Sequence, residues 1–187
     1  MSELFPLFLA LEGRDVLVVG GGAVAERKVA SLLDAGASVR VIAKTATPAL
    51  TELASSGDVA LEQRAFEDTD VSGAWLVVAA TSDEPLQRRI AEVCEEARVF
   101  CVAVDDPANA SAYGGAVMRR GGVTIAISTS GEAPAVARLM REVLEQALPD
   151  DTWLDDARAL REKWKRDGTP MESRFADLVR AFKSRAG

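Results

Sequence analysis

Gly20-Gly21-Gly22-Ala23-Val24-Ala25 fits the pattern G-x-G-x-x-A. It follows a β-branched run and opens an apolar pattern of helical spacing, the context that dinucleotide binding requires. Gly20 permits the tight turn, and Gly22 has no side chain to hold a pyrophosphate away from the backbone N–H groups. Ala25 lets the helix pack close to the strand. The helix start adds partial positive charge. A second spot is Asp105-Asp106-Pro107, behind the apolar run Val99–Val104. A carboxylate at the end of a parallel strand lies beside the crevice where ligands bind. Raised in pKa by burial, it could accept a proton, an effect of about 10²–10⁴ in rate. Asp before Pro is also a common turn starter. Spacing alone leaves these two readings of Asp105 level, and Asp106 reads as a turn or cap residue.

Other residue types narrow the chemistry. There is no histidine, so acid–base work falls to a carboxylate, lysine, tyrosine or water. Cys94 and Cys101 sit in apolar segments and read as small buried hydrophobes in a reducing compartment. They are too few for a zinc site, and no metal is expected. After the second strand an NAD enzyme usually has an acid for the ribose 2′-hydroxyl. Here the chain reads Ala43-Lys44-Thr45. Lys44 suits an NADP 2′-phosphate or stands solvated, so NAD against NADP stays open. Thr81, after the fourth strand, joins the candidate cofactor contacts.

The elements that must position these residues follow from periodicity. Val16–Val19, Val39–Ala43, Val59–Glu62, Trp75–Ala80 and Val99–Val104 read as strands. Helices at Ala23–Ala35, from Thr47-Pro48 to about Ser56, and Glu84–Glu96 alternate with them. Gly36 is read as the C′ stop of the first, and Thr47 and Asp83 as caps. The alternation implies a parallel sheet covered on both faces. After Pro107, Ala116–Met118 and Val123–Ile127 flank Arg119-Arg120-Gly121-Gly122 and read as a hairpin. Helices at Pro134–Leu148, Thr152–Arg166 and from Thr169-Pro170 follow, with apolar stripes through Val136, Leu139, Met140, Val143 and Leu144, and through Phe175, Leu178, Val179 and Phe182. The expected fold class is α/β: a Rossmann-type NAD(P)-binding domain over residues 1–112, a hairpin and dimerisation segment over 113–148, and a small C-terminal helical domain over 149–187.

A net charge of −7 argues against a nucleic-acid partner. No run approaches the ~20 apolar residues of a membrane span. Phe5–Leu11 lacks a basic flank and reads as an edge segment packed on the domain, not a targeting sequence. A cytoplasmic protein is expected.

The blocks Phe5-Pro6-Leu7-Phe8-Leu9, Gly13–Lys28, Phe100–Pro107 and Ile125–Arg138 resemble the precorrin-2 dehydrogenase family, also found as the N-terminal part of siroheme synthases. The resemblance covers about residues 5–148. It implies that precorrin-2 gives a hydride to NAD and also loses protons, becoming sirohydrochlorin. It places the family's aspartate on Asp105, and the nucleotide contacts on Gly22, Ala23, Val24, Lys44 and Thr45. It also implies a homodimer joined through the hairpin and tail, and puts a serine phosphorylated in some members at Thr129, beside Ser128 and Ser130. The family often has asparagine at Val102 and Ser-Phe-Ile-Phe-Pro where this chain reads Ser111-Ala112-Tyr113-Gly114-Gly115. With no methyltransferase segment following, a stand-alone member is expected. The polycarboxylate substrate calls for basic partners. Candidates are Arg119, Arg120, Arg138 and Arg141, with Lys163, Lys165 and Arg166, and each alone reads as a solvated charge. Ser128 and Thr129 suit either a helix cap or an anion-binding helix start. Some family members insert iron, and without histidine that activity is expected to be weak or absent. Two alternatives stand beside this reading: an NAD(H)-sensing module without turnover, and an oxidoreductase for a smaller substrate.

Overall fold

In the computed structural model, which describes residues 3–147 and 153–185, two compact units divide the chain, Met1–Gly114 and Gly115–Gly187. The first is built on five parallel strands: β1 (Asp15–Val19), β2 (Ser38–Ile42), β3 (Val59–Glu62), β4 (Leu76–Ala79) and β5 (Phe100–Ala103). Their order is β3-β2-β1-β4-β5. β1 is central and pairs in register with both β2 and β4, Val18 facing Val41 on one side and Val78 on the other. Every side chain of β1 after Asp15 is therefore buried, which is why its sequence is a β-branched run without alternation.

Alternate strand residues feed two cores. Val16, Val18, Val39 and Val41 pack with Ala25, Val29 and Leu32 of α1 (Ala23–Leu33) and Leu50 of α2 (Pro48–Ser56). Leu17, Val19, Val77 and Cys101 pack with Ile90, Val93 and Cys94 of α3 (Glu84–Ala97). Each fully buried aliphatic side chain contributes about 1.5–3 kcal/mol. Cys94 and Cys101 are free thiols in this second core. The neighbouring Cys101, then burial, raises the Cys94 thiol.

Local signals act where expected. Thr47 and Asp83 accept from the backbone N–H groups of Leu50 and Leu86 at the starts of α2 and α3. Two expectations need correction. α1 stops at Leu33 with Asp34 as its C-cap, and Gly36 (φ +75°) turns the chain two residues later. The apolar stretch before β1 does not pack as an edge segment: Phe5 is 85% and Phe8 71% exposed, and only Leu11 reaches the core.

After β3, Asp70 is buried within the short 3-10 helix Asp68–Val71. Arg64 grips its carboxylate with two nitrogens at 2.6 and 2.8 Å, and the Glu67 N–H donates to it at 2.8 Å. Arg40 of β2 adds a bond to the Asp70 carbonyl at 2.6 Å. The Arg64 bonds hold Asp70 below the ordinary carboxylate range against the opposing effect of burial.

The second unit opens with the antiparallel hairpin of β6 (Ala116–Arg120) and β7 (Val123–Ile127), Arg120 facing Val123. Gly121 and Gly122 both have positive φ, at +53° and +80°, as a two-residue hairpin turn of this hand demands. α4 (Pro134–Ala147) packs on the hairpin with Ala137 buried. Its expected stripe is exposed within this chain, Leu139 at 60% and Val143 at 54%. α5 (Trp153–Asp167) and α6 (Met171–Arg185) pair through the buried Trp164, whose indole N–H donates to Asp177 at 3.0 Å. The expected helix-end residues Leu148 and Thr152 lie outside the described residues. Among the described residues no helix is long and apolar enough to cross a membrane.

Candidate cofactor and substrate site

The chain runs from β1 outward through β2 to β3, then returns to the other side of β1 for β4 and β5. In open parallel sheets, ligands bind at the carboxyl ends of the strands where the order reverses. A cavity of about 760 Å³ lies there. Three segments wall it: Gly22, Ala23 and Val24 from the turn into α1; Thr81, Glu84, Gln87 and Arg88 from the turn into α3 and its first turns; and Asp105, Asp106 and Asn109 after β5.

The glycine turn divides its labour. A Cβ at Gly20 (φ +127°) would stand 2.2 Å from the Ala80 carbonyl oxygen, and one at Gly21 would stand 2.0 Å from the Thr45 oxygen. These two glycines let the turn pass between neighbouring backbones. A Cβ at Gly22 would meet nothing within 4 Å, and its φ of −87° suits any residue. Gly22 is thus not demanded by packing. It leaves the start of α1 bare toward the cavity, where backbone N–H groups can meet a pyrophosphate. The turn fits the group that the sequence implies.

Asp105 stands on the cavity wall with φ +58°, a left-handed conformation that costs most residues about 1–2 kcal/mol. Its side chain is exposed, so the burial expected around it is not supplied by the chain itself. Asp106 behaves as a turn residue: its carboxylate accepts from the Asn109 side chain at 2.5 Å, and its carbonyl from the Asn109 N–H.

Of the predicted site residues, Gly22, Ala23, Val24, Thr81 and Asp105 share the cavity. Gly20 forms its turn from behind. Lys44 and Thr45 are exposed and lie outside the lining. They are held on the β2 side of the turn, where the Thr47 N–H donates to the Gly21 carbonyl at 2.9 Å. Ser128, Thr129, Arg119 and Arg138 belong to the second unit. There Thr129 accepts from the Ala133 N–H and Ser128 from the Ser130 N–H, while Arg138 pairs with Glu142 at 2.8 Å. Arg119 is exposed.

Gln87 and Arg88 are among the cavity residues that sequence reasoning missed. Gln87 is buried, and its Nε2 donates to the carbonyls of Val104 at 2.8 Å and Ala79 at 3.4 Å. A signal was available: it occupies the apolar stripe of α3 three residues before Ile90, and a polar side chain there needs partners. Arg88, beside it, faces the cavity, which spacing could not foretell.

Residues 7–116 match the family model described as "Putative NAD(P)-binding". The chain belongs to this NAD(P)-binding family. Residues 120–147 match the model described as "Sirohaem biosynthesis protein central". Siroheme synthases of Salmonella schwarzengrund, Citrobacter koseri and Escherichia coli O1:K1 / APEC are each 42% identical to this family member over 144 residues, covering 77% of this chain and 32% of theirs. The chain thus spans about a third of the length of these curated relatives. The solved structure of SirC, precorrin-2 dehydrogenase, superposes with a TM-score of 0.73 at 22% identity, covering 95% of this chain and 88% of that one. At that identity the likeness establishes a shared fold.

Proposed function

We propose that this protein oxidises precorrin-2 to sirohydrochlorin with NAD as the hydride acceptor. The observation that carries the reading is the placement of Asp105 on the same cavity as the bare helix start Gly22–Val24. The siroheme synthase relatives and the SirC fold supply the substrate class. Gly22, Ala23 and Val24 would hold the pyrophosphate, with Thr81 beside it and Lys44 and Thr45 on the adenosine side. The nicotinamide, when bound, takes up the hydride. Asp105 accepts the proton that the macrocycle releases from carbon. Its exposed carboxylate becomes desolvated only when the flat apolar face of the macrocycle covers it.

NAD is favoured over NADP on the family resemblance alone, since Lys44, exposed on the β2 side of the turn, suits a 2′-phosphate or water equally. Ser128, Thr129, Arg119 and Arg138 remain our candidates for the substrate's carboxylates. We place the protein in the cytoplasm, in keeping with two free buried thiols. We further propose a homodimer: the exposed apolar faces of α4 (Leu139, Val143) and α6 (Phe175, 74% exposed) need cover.

The test is an anaerobic assay of precorrin-2 with NAD or NADP, following reduced nicotinamide and sirohydrochlorin together. Formation of both in equal amount is expected, faster with NAD. NADH binding without turnover would replace this reading with a sensing module.

A further inference from the structure

Arg88 is the one cation among the described residues lining the cavity, against the carboxylates of Glu84, Asp105 and Asp106. Among the described residues its side chain makes no ion pair or hydrogen bond, although Glu84 and Glu92 stand four residues away on either side of it along α3. Such spacing ordinarily brings opposite charges together. Glu92 is instead taken by Arg89, which also grips Asp68. The neighbouring arginine is therefore committed to structure, and Arg88 is left with its guanidinium on the cavity.

From this we infer that Arg88 is a specificity residue that binds a carboxylate of the substrate. The inference rests on the dehydrogenase reading and deepens it. A free guanidinium beside three acids suits an incoming anion that can take two parallel N–H bonds. Two anions are candidates, the cofactor's pyrophosphate and the substrate's carboxylates. The pyrophosphate is served by the helix start at Gly22, across the cavity on α1. An oxidised nicotinamide ring carries positive charge, which the lining acids favour and Arg88 opposes. A carboxylate on the rim of the macrocycle remains. Bound there, it would bring the ring face over Asp105, which shares the wall.

The experiment compares wild type, Arg88→Gln and Arg88→Lys. Arg88 is exposed on a helix and glutamine keeps helix propensity, so thermal melts should coincide. Sirohydrochlorin affinity is measured by absorbance titration without cofactor, and NADH affinity by fluorescence. Arg88→Gln should weaken sirohydrochlorin binding and raise KM for precorrin-2 by about tenfold each, as expected for one lost charge-assisted pair. Arg88→Lys should recover part of the loss. NADH affinity should stay within about twofold. Unchanged sirohydrochlorin binding in Arg88→Gln, with wild type active, overturns the inference alone. Weakened NADH binding with unchanged sirohydrochlorin binding reassigns Arg88 to the cofactor and also overturns it. A wild type that neither binds sirohydrochlorin nor turns over precorrin-2 overturns the dehydrogenase reading and this inference together.

Discussion

The Gln87 side-chain amide donates to the Val104 carbonyl at 2.8 Å, one residue before Asp105. The Val104 N–H in turn donates to the Ala79 carbonyl at 3.0 Å, which also receives Gln87. The peptide plane entering Asp105 is thus fixed from below by α3. Because a trans peptide is planar, pinning its carbonyl inward turns the Asp105 N–H outward. Gln87→Leu keeps the volume and strands the Val104 carbonyl. We expect a loss of about 1–2 kcal/mol in urea unfolding and a fall in kcat that exceeds any change in NADH affinity.

Asp105 should show a split between stability and activity. Asp105→Asn should abolish NADH formation from precorrin-2 while leaving NADH affinity nearly unchanged. Asp105→Gly should be equally inactive, yet more stable by roughly 0.5–1 kcal/mol, because glycine occupies φ +58° without the Cβ penalty. A thermal melt beside the assay reads both, and unaltered turnover in the asparagine variant refutes the assignment.

The glycines of the turn should separate by phenotype. Gly20→Ala drives a Cβ to 2.2 Å from the Ala80 oxygen and should cost about 2 kcal/mol or more in stability. Gly22→Ala meets open space, so its unfolding curve should match wild type. Its NADH affinity should drop at least about tenfold, since the methyl holds the pyrophosphate off the backbone N–H groups.

Acid should weaken the fold through Asp70. Its carboxyl is held below the ordinary range by Arg64, so the unfolded chain binds the proton more readily. The contribution is complete above the ordinary value of about 4 and is lost as pH falls through the depressed value. Asp70→Asn should cost about 2–3 kcal/mol at neutral pH by leaving Arg64 and Arg40 without their buried partner. It should also flatten the acid limb of a stability–pH curve.

What the sequence determined by itself are the features encoded over a few neighbouring residues. The unbroken apolar run of β1, the Thr47 and Asp83 caps, the Gly121-Gly122 turn and the glycine pattern at 20–22 all act through backbone geometry and period. They were legible without knowing what lies across the fold. The tertiary structure alone decided what depends on strand order. β4 and β5 lie on the far side of β1, which brings Asp105 onto the cavity of the glycine turn and puts Gln87 beneath Val104. It also decided that Arg89 takes Glu92 and leaves Arg88 free, and that Asp105 is left-handed and exposed, not buried. Apart from the Arg89–Glu92 pair, three residues apart on α3, these outcomes depend on segments far apart in the chain. No local spacing carries them, because hydrogen bonds and ion pairs form with whichever groups the packing delivers. The apolar stripe of α4 shows the same limit: its period marks a face to be covered, and the period does not say by what.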